Sequence, residues 1–131
     1  MTSFEYVDTL WSLCADNEEL KDLLEVVDDE DYETKIRTED VMPEGYEPEN
    51  LPFIAMYIAD TQSTYNDFAN LSNLYIDIYS SMRNNVPAIR KILVDMMHDN
   101  FNERVRSELQ TPSGIHAVYK YRLVFTPLIS T

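Results

Sequence analysis

The sequence predicts an α+β fold in which an N-terminal helix and a second long helix pack on a mainly antiparallel sheet of about four strands. Three observations lead to this prediction. Apolar residues recur at helical spacing near the N-terminus and again after residue 85. Residues 51–59 and 74–79 alternate with the two-residue period of strands. The last 28 residues form two alternating arms around Thr111-Pro-Ser-Gly114, which is typical of a hairpin.

The chain is short enough for one core. Its 131 residues, 44% of them hydrophobic, predict a single domain over residues 1–131. We expect a helical segment over residues 3–27, an acidic loop over 28–50 and a sheet and helix core over 51–126. The single cysteine, Cys14, excludes an intrachain disulfide and favours a reducing compartment. No stretch approaches the ~20 apolar residues of a membrane span, so no membrane partner is expected.

Two helical patterns open the chain. Ser3 is a predicted N-cap, and Asn17 can cap a second segment. The predicted buried stripes are Phe4, Val7, Leu10, Trp11 and Cys14, then Leu20, Leu23, Leu24 and Val27. Four adjacent acids, Asp28 to Asp31, should end helical order because they repel one another and oppose the helix dipole. Tyr32–Arg37 follows as a predicted short edge strand, and residues 42–50 read as a loop.

The two central strands differ in their faces. Residues 51–59 carry apolar side chains on both faces, as in a strand that is covered twice. In residues 74–79, Leu74, Ile76 and Ile78 should face the core, whereas Tyr75, Asp77 and Tyr79 should face water or a partner. Residues 60–70 have little periodicity, which predicts a mobile loop between the strands.

The second half supplies a helix and a hairpin. Asn85 and Pro87 predict a helix start. Its apolar face comprises Val86, Ile89, Ile92, Leu93, Met96 and Met97. The hairpin arms are residues 104–109 and 116–125, and Pro127 should stop the second arm.

Charge is distributed unevenly along the chain. Residues 16–49 hold 15 of the 24 acidic residues and three basic ones, whereas residues 71–131 hold five acidic and seven basic ones. A net charge of −14 excludes DNA binding by phosphate neutralisation. Acidic surface suits a passage that DNA slides through, a basic protein partner, or simple solvation.

Residue types that carry chemistry are few. Cys14 lies on an apolar helix face, where a buried, inert thiol is expected. His98 and His116 have no further ligand at metal spacing, and Gly45 is out of register for a calcium loop. The sequence therefore predicts no catalytic residue, no metal and no cofactor. Tyr75 and Tyr79 suggest an interface, although half-buried sheet tyrosines are the simpler alternative.

From Glu49 to Thr126 the chain resembles the tail terminator, or tail-to-head joining, proteins of long-tailed bacteriophages. The resemblance rests on the strand entry Asn50-Leu-Pro-Phe, the second strand Leu74–Ser80, the helix Val86–His98 and the closing hairpin through Val118–Thr126. It implies a virion protein assembled in the host cytoplasm. Such a protein caps the tail tube as a ring, usually a hexamer, and joins the tube to the head connector, while DNA passes through the channel without specific binding.

The resemblance also implies an interface. It places the loop of residues 60–70 against a neighbouring subunit or ring, and makes the acidic run a candidate for channel lining or rim. The candidate interface residues are Asp60, Gln62, Tyr65, Asp67, Phe68, Tyr75, Tyr79 and Arg83. The candidate acidic surface comprises Asp28, Asp29, Glu30, Asp31 and Glu33. Two alternatives stay open: a head-completion or stopper protein of the same neck, and a cytosolic acidic adaptor that binds a basic protein.

Overall fold

The computed structural model describes residues 1–40, 50–63, 69–81, 85–114 and 118–130, without the side chains of residues 60–63, 69, 70 and 130. The elements in chain order are α1 (Ser3–Asp16), α2 (Glu18–Leu24), α3 (Asp31–Lys35), β1 (Ile36–Arg37), β2 (Phe53–Ser63), β3 (Ala69–Ser80), α4 (Val86–Phe101), β4 (Ser107–Thr111), β5 (Tyr119–Phe125) and β6 (Leu128–Ser130). This is the predicted α+β class.

The sheet is larger than predicted. Its strand order is β1-β2-β3-β5-β4, and β6 pairs with β3 beyond the end of β5. The β1–β2 pair is parallel and the other pairs are antiparallel. The six strands exceed the predicted four partly because the chain resumes pairing after Pro127, where the sequence predicted a stop. The backbone N–H of Ser72 in β3 donates to the carbonyl of Pro127 at 3.1 Å, so β3 remains hydrogen-bonded to the segment between β5 and β6.

Helix α1 starts one residue earlier than predicted. Thr2, rather than Ser3, is the N-cap, and its Oγ1 accepts from the Glu5 backbone N–H at 3.3 Å. With this start the buried face is Tyr6, Leu10 and Cys14. Phe4, predicted to be buried, is 83% exposed.

Helix α2 is capped as predicted, because Asn17 Oδ1 accepts from the backbone N–H of Leu20 at 2.9 Å. Leu20 and Leu24 are buried, but Val27 is 83% exposed because the helix ends at Leu24, where Glu25 takes up a left-handed conformation (φ 61°). The predicted buried position of Val27 is therefore wrong.

The predicted edge strand Tyr32–Arg37 is mostly wrong. Asp31 Oδ2 accepts from the backbone N–H groups of Val27 and Asp28 at 2.8 and 3.0 Å. These bonds close the acidic turn, and helix α3 follows directly. Only Ile36 and Arg37 are extended. Lys35 fixes this helix to the sheet, since its Nζ donates to the carbonyl of Pro52 at 3.3 Å.

The main core lies between the helices and one face of the sheet. Strand residues Leu74, Ile76 and Ile78 are buried there, as predicted. The other buried members of this core are Tyr6, Leu10, Cys14, Leu20, Leu24, Ile36, Ile54, Met56, Val86, Ile89, Leu93, Met96, Met97, Leu123, Phe125 and Ile129. On the opposite face, Phe53, Ala55 and Tyr79 form a second, smaller cluster. The prediction that β2 is apolar on both faces is confirmed.

The predicted loop of residues 60–70 is shorter than expected. β2 continues to Ser63 and β3 begins at Ala69, with Thr61 opposite Ser72 and Ser63 opposite Asn70. The register shifts between Ile58 and Thr61. The sequence did not indicate this extension, because polar residues stand at successive positions and no alternation of apolar and polar residues is visible. Main-chain pairing between strands does not require such alternation. Among the described residues, no helix is long and apolar enough to cross a membrane.

Candidate functional site

The sheet face opposite the helices carries a polar and aromatic cluster. The register aligns Ala55 of β2, Asp77 of β3 and Arg122 of β5 in one row across the sheet. Because side chains alternate along a strand, the flanking rows on the same face hold Phe53–Tyr79–Lys120 and Tyr57–Tyr75–Val124. We call Tyr57, Tyr75, Asp77, Lys120 and Arg122 the Asp77 cluster.

Asp77 lies at the centre of this cluster and is fully buried. Its Oδ1 accepts from Arg122 Nε at 2.8 Å, and its Oδ2 accepts from Arg122 Nη2 at 3.2 Å and from the Tyr57 hydroxyl at 2.9 Å. Lys120 Nζ lies 3.8 Å from Oδ2. Arg122 Nη2 also donates to the Tyr57 oxygen at 2.9 Å. Both carboxylate oxygens therefore have donors.

The environment of the cluster shifts the pKa values of two of its members, Tyr57 and Arg122. Burial, reinforced by the Asp77 carboxylate, raises the pKa of Tyr57 above its ordinary value. The hydrogen bond to Asp77 raises the pKa of Arg122. Tyr57 therefore stays neutral and Arg122 stays charged at any physiological pH. The bidentate bond from Arg122 and the bond from Tyr57 fix the relative positions of these three side chains.

Cations cover the aromatic rings of this face. The guanidinium of Arg122 lies 4.3 Å from the ring centroid of Tyr75, and Lys120 Nζ lies 5.5 Å from that of Tyr79. Tyr57 and Tyr75 meet edge to face at 5.7 Å. Such contacts hold flat rings and charges in a fixed layer.

A second ion pair lies on the helix side of the sheet. Arg90 of α4 donates through Nη2 to Glu108 Oε2 of β4 at 2.7 Å and through Nε to the other oxygen. The Tyr121 hydroxyl also donates to Glu108. The Arg90 hydrogen bond lowers the pKa of Glu108 to about 2. This pair joins helix α4 to strand β4.

We expect Glu108→Gln to destabilise the fold at pH 7 and to have little effect at pH 2. The folded pKa of Glu108 lies below the ordinary value of 4.5, so its stabilisation is present above about pH 4.5 and is lost as the pH falls towards 2. Because solvent screens this partly exposed pair, we expect about 1–2 kcal/mol. Urea unfolding of both proteins from pH 7 to pH 2 measures it. Glu39→Gln, at an exposed position, is the matched control, and an equal loss for both variants would contradict the prediction.

The predicted interface residues differ in their burial in the structure. Tyr75 is half-buried, whereas Tyr79 is fully buried and stacks on Phe53 at 4.5 Å. Asp77, also predicted to face water or a partner, is fully buried. These two assignments were wrong because aromatic rings and an arginine cover this face from within the chain. Asp60 and Gln62 have their backbones in β2. Tyr65, Asp67, Phe68 and Arg83 lie outside the described residues.

The predicted acidic surface is divided in two. Asp28, Asp29, Glu30 and Glu33 are exposed, as a surface role requires. Asp31 instead closes the turn, and its pKa is lowered by the two backbone N–H groups it accepts from. Within the described ranges, no three His, Cys, Asp or Glu side chains are grouped to hold a metal ion. Cys14 is fully buried, and burial raises the pKa of its thiol to about 12, so the prediction of an inert thiol is consistent with its position.

Sequence reasoning missed the pairing of Asp77 with Arg122. Their separation of 45 residues gives no local signal. The alternation itself placed Asp77 on the face opposite Ile76 and Ile78, where an unpaired carboxylate in water is the ordinary expectation. The choice among the basic residues depended on strand register, which one sequence does not provide.

No protein-family model matches this chain. No curated protein is significantly similar to it either.

Proposed function

We propose that this chain is a structural virion protein that caps the tail tube of a long-tailed bacteriophage as a ring and joins it to the head connector. Its partners would be other copies of itself, the major tail tube protein and the connector or stopper protein. The proposal originates in the resemblance over Glu49–Thr126, and no catalytic step is part of it.

The observation that carries the proposal is the order and placement of the elements. After α1, α2, α3 and the short β1, the two long paired strands β2 and β3, helix α4 and the hairpin β4–β5 follow one another, which is the order that the resemblance implies from Glu49 onward. The helices pack on one face of the sheet, and the other face holds the Asp77 cluster. The two edges of the sheet lie on opposite sides of the subunit. A ring subunit needs different surfaces on two opposite sides, and an open sheet that ends in β1 on one side and in β4 on the other supplies two different edges.

Charge gives secondary support. The exposed acids of the turn before α3 repel DNA phosphate, which suits a channel or a rim that DNA passes without binding. An acidic adaptor would use the same residues to bind a basic protein, so the charge alone does not separate the two functions.

The test is electron microscopy of the protein mixed with purified tail tubes, with native mass measured in parallel. We expect rings at tube ends with six copies per ring. Tubes mixed with an unrelated acidic protein of similar size serve as the control. A persistent monomer that leaves the tubes uncapped would contradict the proposal. Titration against basic partners at two salt concentrations would then test the adaptor alternative, whose binding should weaken steeply with salt.

A further inference from the structure

Strand β4 ends the sheet on one side of the described chain. An edge strand presents N–H and C=O groups that can pair with another chain, and proteins usually protect such edges with charge, proline or a cover. Within Ser107–Thr111 the single charge, Glu108, is held by Arg90 on the helix side. Leu109 points to the opposite face, beside Arg122, and is 49% exposed. This edge therefore combines a strand of five residues with an exposed apolar side chain.

The segment before β4 makes the same edge basic. Arg104 and Arg106 are exposed, and neither forms an ion pair with the described residues. The segment is fixed in place, because the backbone N–H of Arg106 donates to the carbonyl of Val124 at 2.7 Å. We call Arg104–Thr111 the basic edge. It is a local concentration of positive charge in a chain whose net charge is −14, with Glu103 as an acidic neighbour of Arg106.

The opposite edge of the sheet is acidic. Helix α3 leads directly into β1, the last strand on that side, so the exposed acids around them lie at this edge. These acids are Asp28, Asp29, Glu30, Glu33, Glu39 and Asp40. Beside β1 runs a groove of about 520 Å³ whose lining includes Glu33, Glu39, Trp11 and Thr38. We call this groove with its surrounding acids the acidic edge. Among the described residues that line this groove, Arg37 is the one cation, and its guanidinium lies 4.1 Å from the ring centroid of Phe53.

We propose that the basic edge of one copy docks into the acidic edge of a second copy, with Leu109 at the centre of the contact. This inference rests on the proposed function, because it names the surfaces through which the ring would close. Charge selects the pairing: two basic edges, or two acidic edges, would bring like charges together, whereas unlike edges attract. A contact between two different surfaces leaves one surface of each kind unused at the two ends of every assembly, so copies continue to add. A ring results when the rotation between neighbouring copies closes the circle, and a filament results otherwise.

Cysteine cross-linking of two single-site variants tests the contact. Leu109→Cys marks the basic edge and Thr38→Cys marks the acidic edge, and only one of the two proteins carries a mass tag. Native Cys14 is fully buried, so the unmodified chain is the matched control and should remain uncross-linked. We expect mild oxidation of the mixture to give the tagged–untagged 109–38 product, with little 109–109 or 38–38 product.

Charge reversal provides the second arm. Arg104→Glu/Arg106→Glu in the Leu109→Cys protein should lower the 109–38 yield about fivefold at low salt. Combining Glu33→Lys/Glu39→Lys with Thr38→Cys in the partner should restore it. Since all of these residues are exposed, circular dichroism should show unchanged folding.

The outcomes separate this inference from the proposed function. No cross-link, a dominant 109–109 product, or a yield that ignores charge reversal would overturn the edge pairing, even if the rings cap tail tubes. A charge-dependent 109–38 cross-link from a protein that never caps tubes would support the edge pairing and remove the tail terminator function.

Discussion

Replacing Arg122 by methionine is expected to lower the free energy of unfolding by about 3–5 kcal/mol. Methionine preserves much of the side-chain volume but removes both bonds to Asp77 and leaves a fully buried carboxylate with the Tyr57 hydroxyl and a lysine at 3.8 Å. Lys120 remains as a longer ion pair, but a buried carboxylate that loses its two arginine hydrogen bonds is strongly destabilising. Urea unfolding at pH 7, followed by circular dichroism, measures the loss.

Two further variants show whether the buried charge is the cause. Arg104→Met removes an exposed arginine that has no ion pair among the described residues, so we expect a change within about 0.5 kcal/mol. Asp77→Asn/Arg122→Met also removes the carboxylate charge and should recover at least half of the loss. If Arg122→Met were no more harmful than Arg104→Met, Lys120 alone would be a sufficient counter-charge for Asp77, and the pairing with Arg122 would not be the main stabilising contact of the cluster.

The apolar half of the fold could be predicted from the sequence. Leu74, Ile76 and Ile78 face the helices as their two-residue period indicated. The periodic pattern after residue 85 likewise became α4. The spacing of apolar residues along a helix or strand is a local property of the sequence. Because one face of each element must be buried, this spacing can be recognised in a single sequence.

The polar half could not be predicted in the same way. Asp77 and Tyr79 follow the period of a water-facing row but are fully buried. Their cover comes from β5, whose Lys120 and Arg122 stand beside them only because of the strand register. The alternation of residues along a strand indicates on which face of the sheet a side chain lies. It does not indicate whether other parts of the chain cover that face.

Helix boundaries failed for a different reason. The acids at 28–31 were expected only to repel one another, but Asp31 turns back and accepts from two backbone N–H groups. These bonds close the turn, and helix α3 begins at Asp31, where a strand was predicted. Side-chain bonds to the backbone of this kind depend on the local geometry of four or five residues, which charge and hydropathy do not encode.

The docking of α1 gives the second large expected effect. Leu10→Ala should lower the free energy of unfolding by about 2–5 kcal/mol, since Leu10 is fully buried between the helix and the sheet and alanine would leave a cavity. Phe4→Ala is a matched control on the same helix. Phe4 belonged to the same predicted apolar stripe but is 83% exposed, so its truncation should cost no more than about 0.5 kcal/mol. Chemical denaturation of the two variants and of the parent protein measures both losses.

A loss for Phe4→Ala equal to that for Leu10→Ala would mean that Phe4 is covered, either by a neighbouring copy or by a rotation of α1. Repeating the measurement at tenfold lower protein concentration separates these causes, because only a contact between copies depends on concentration.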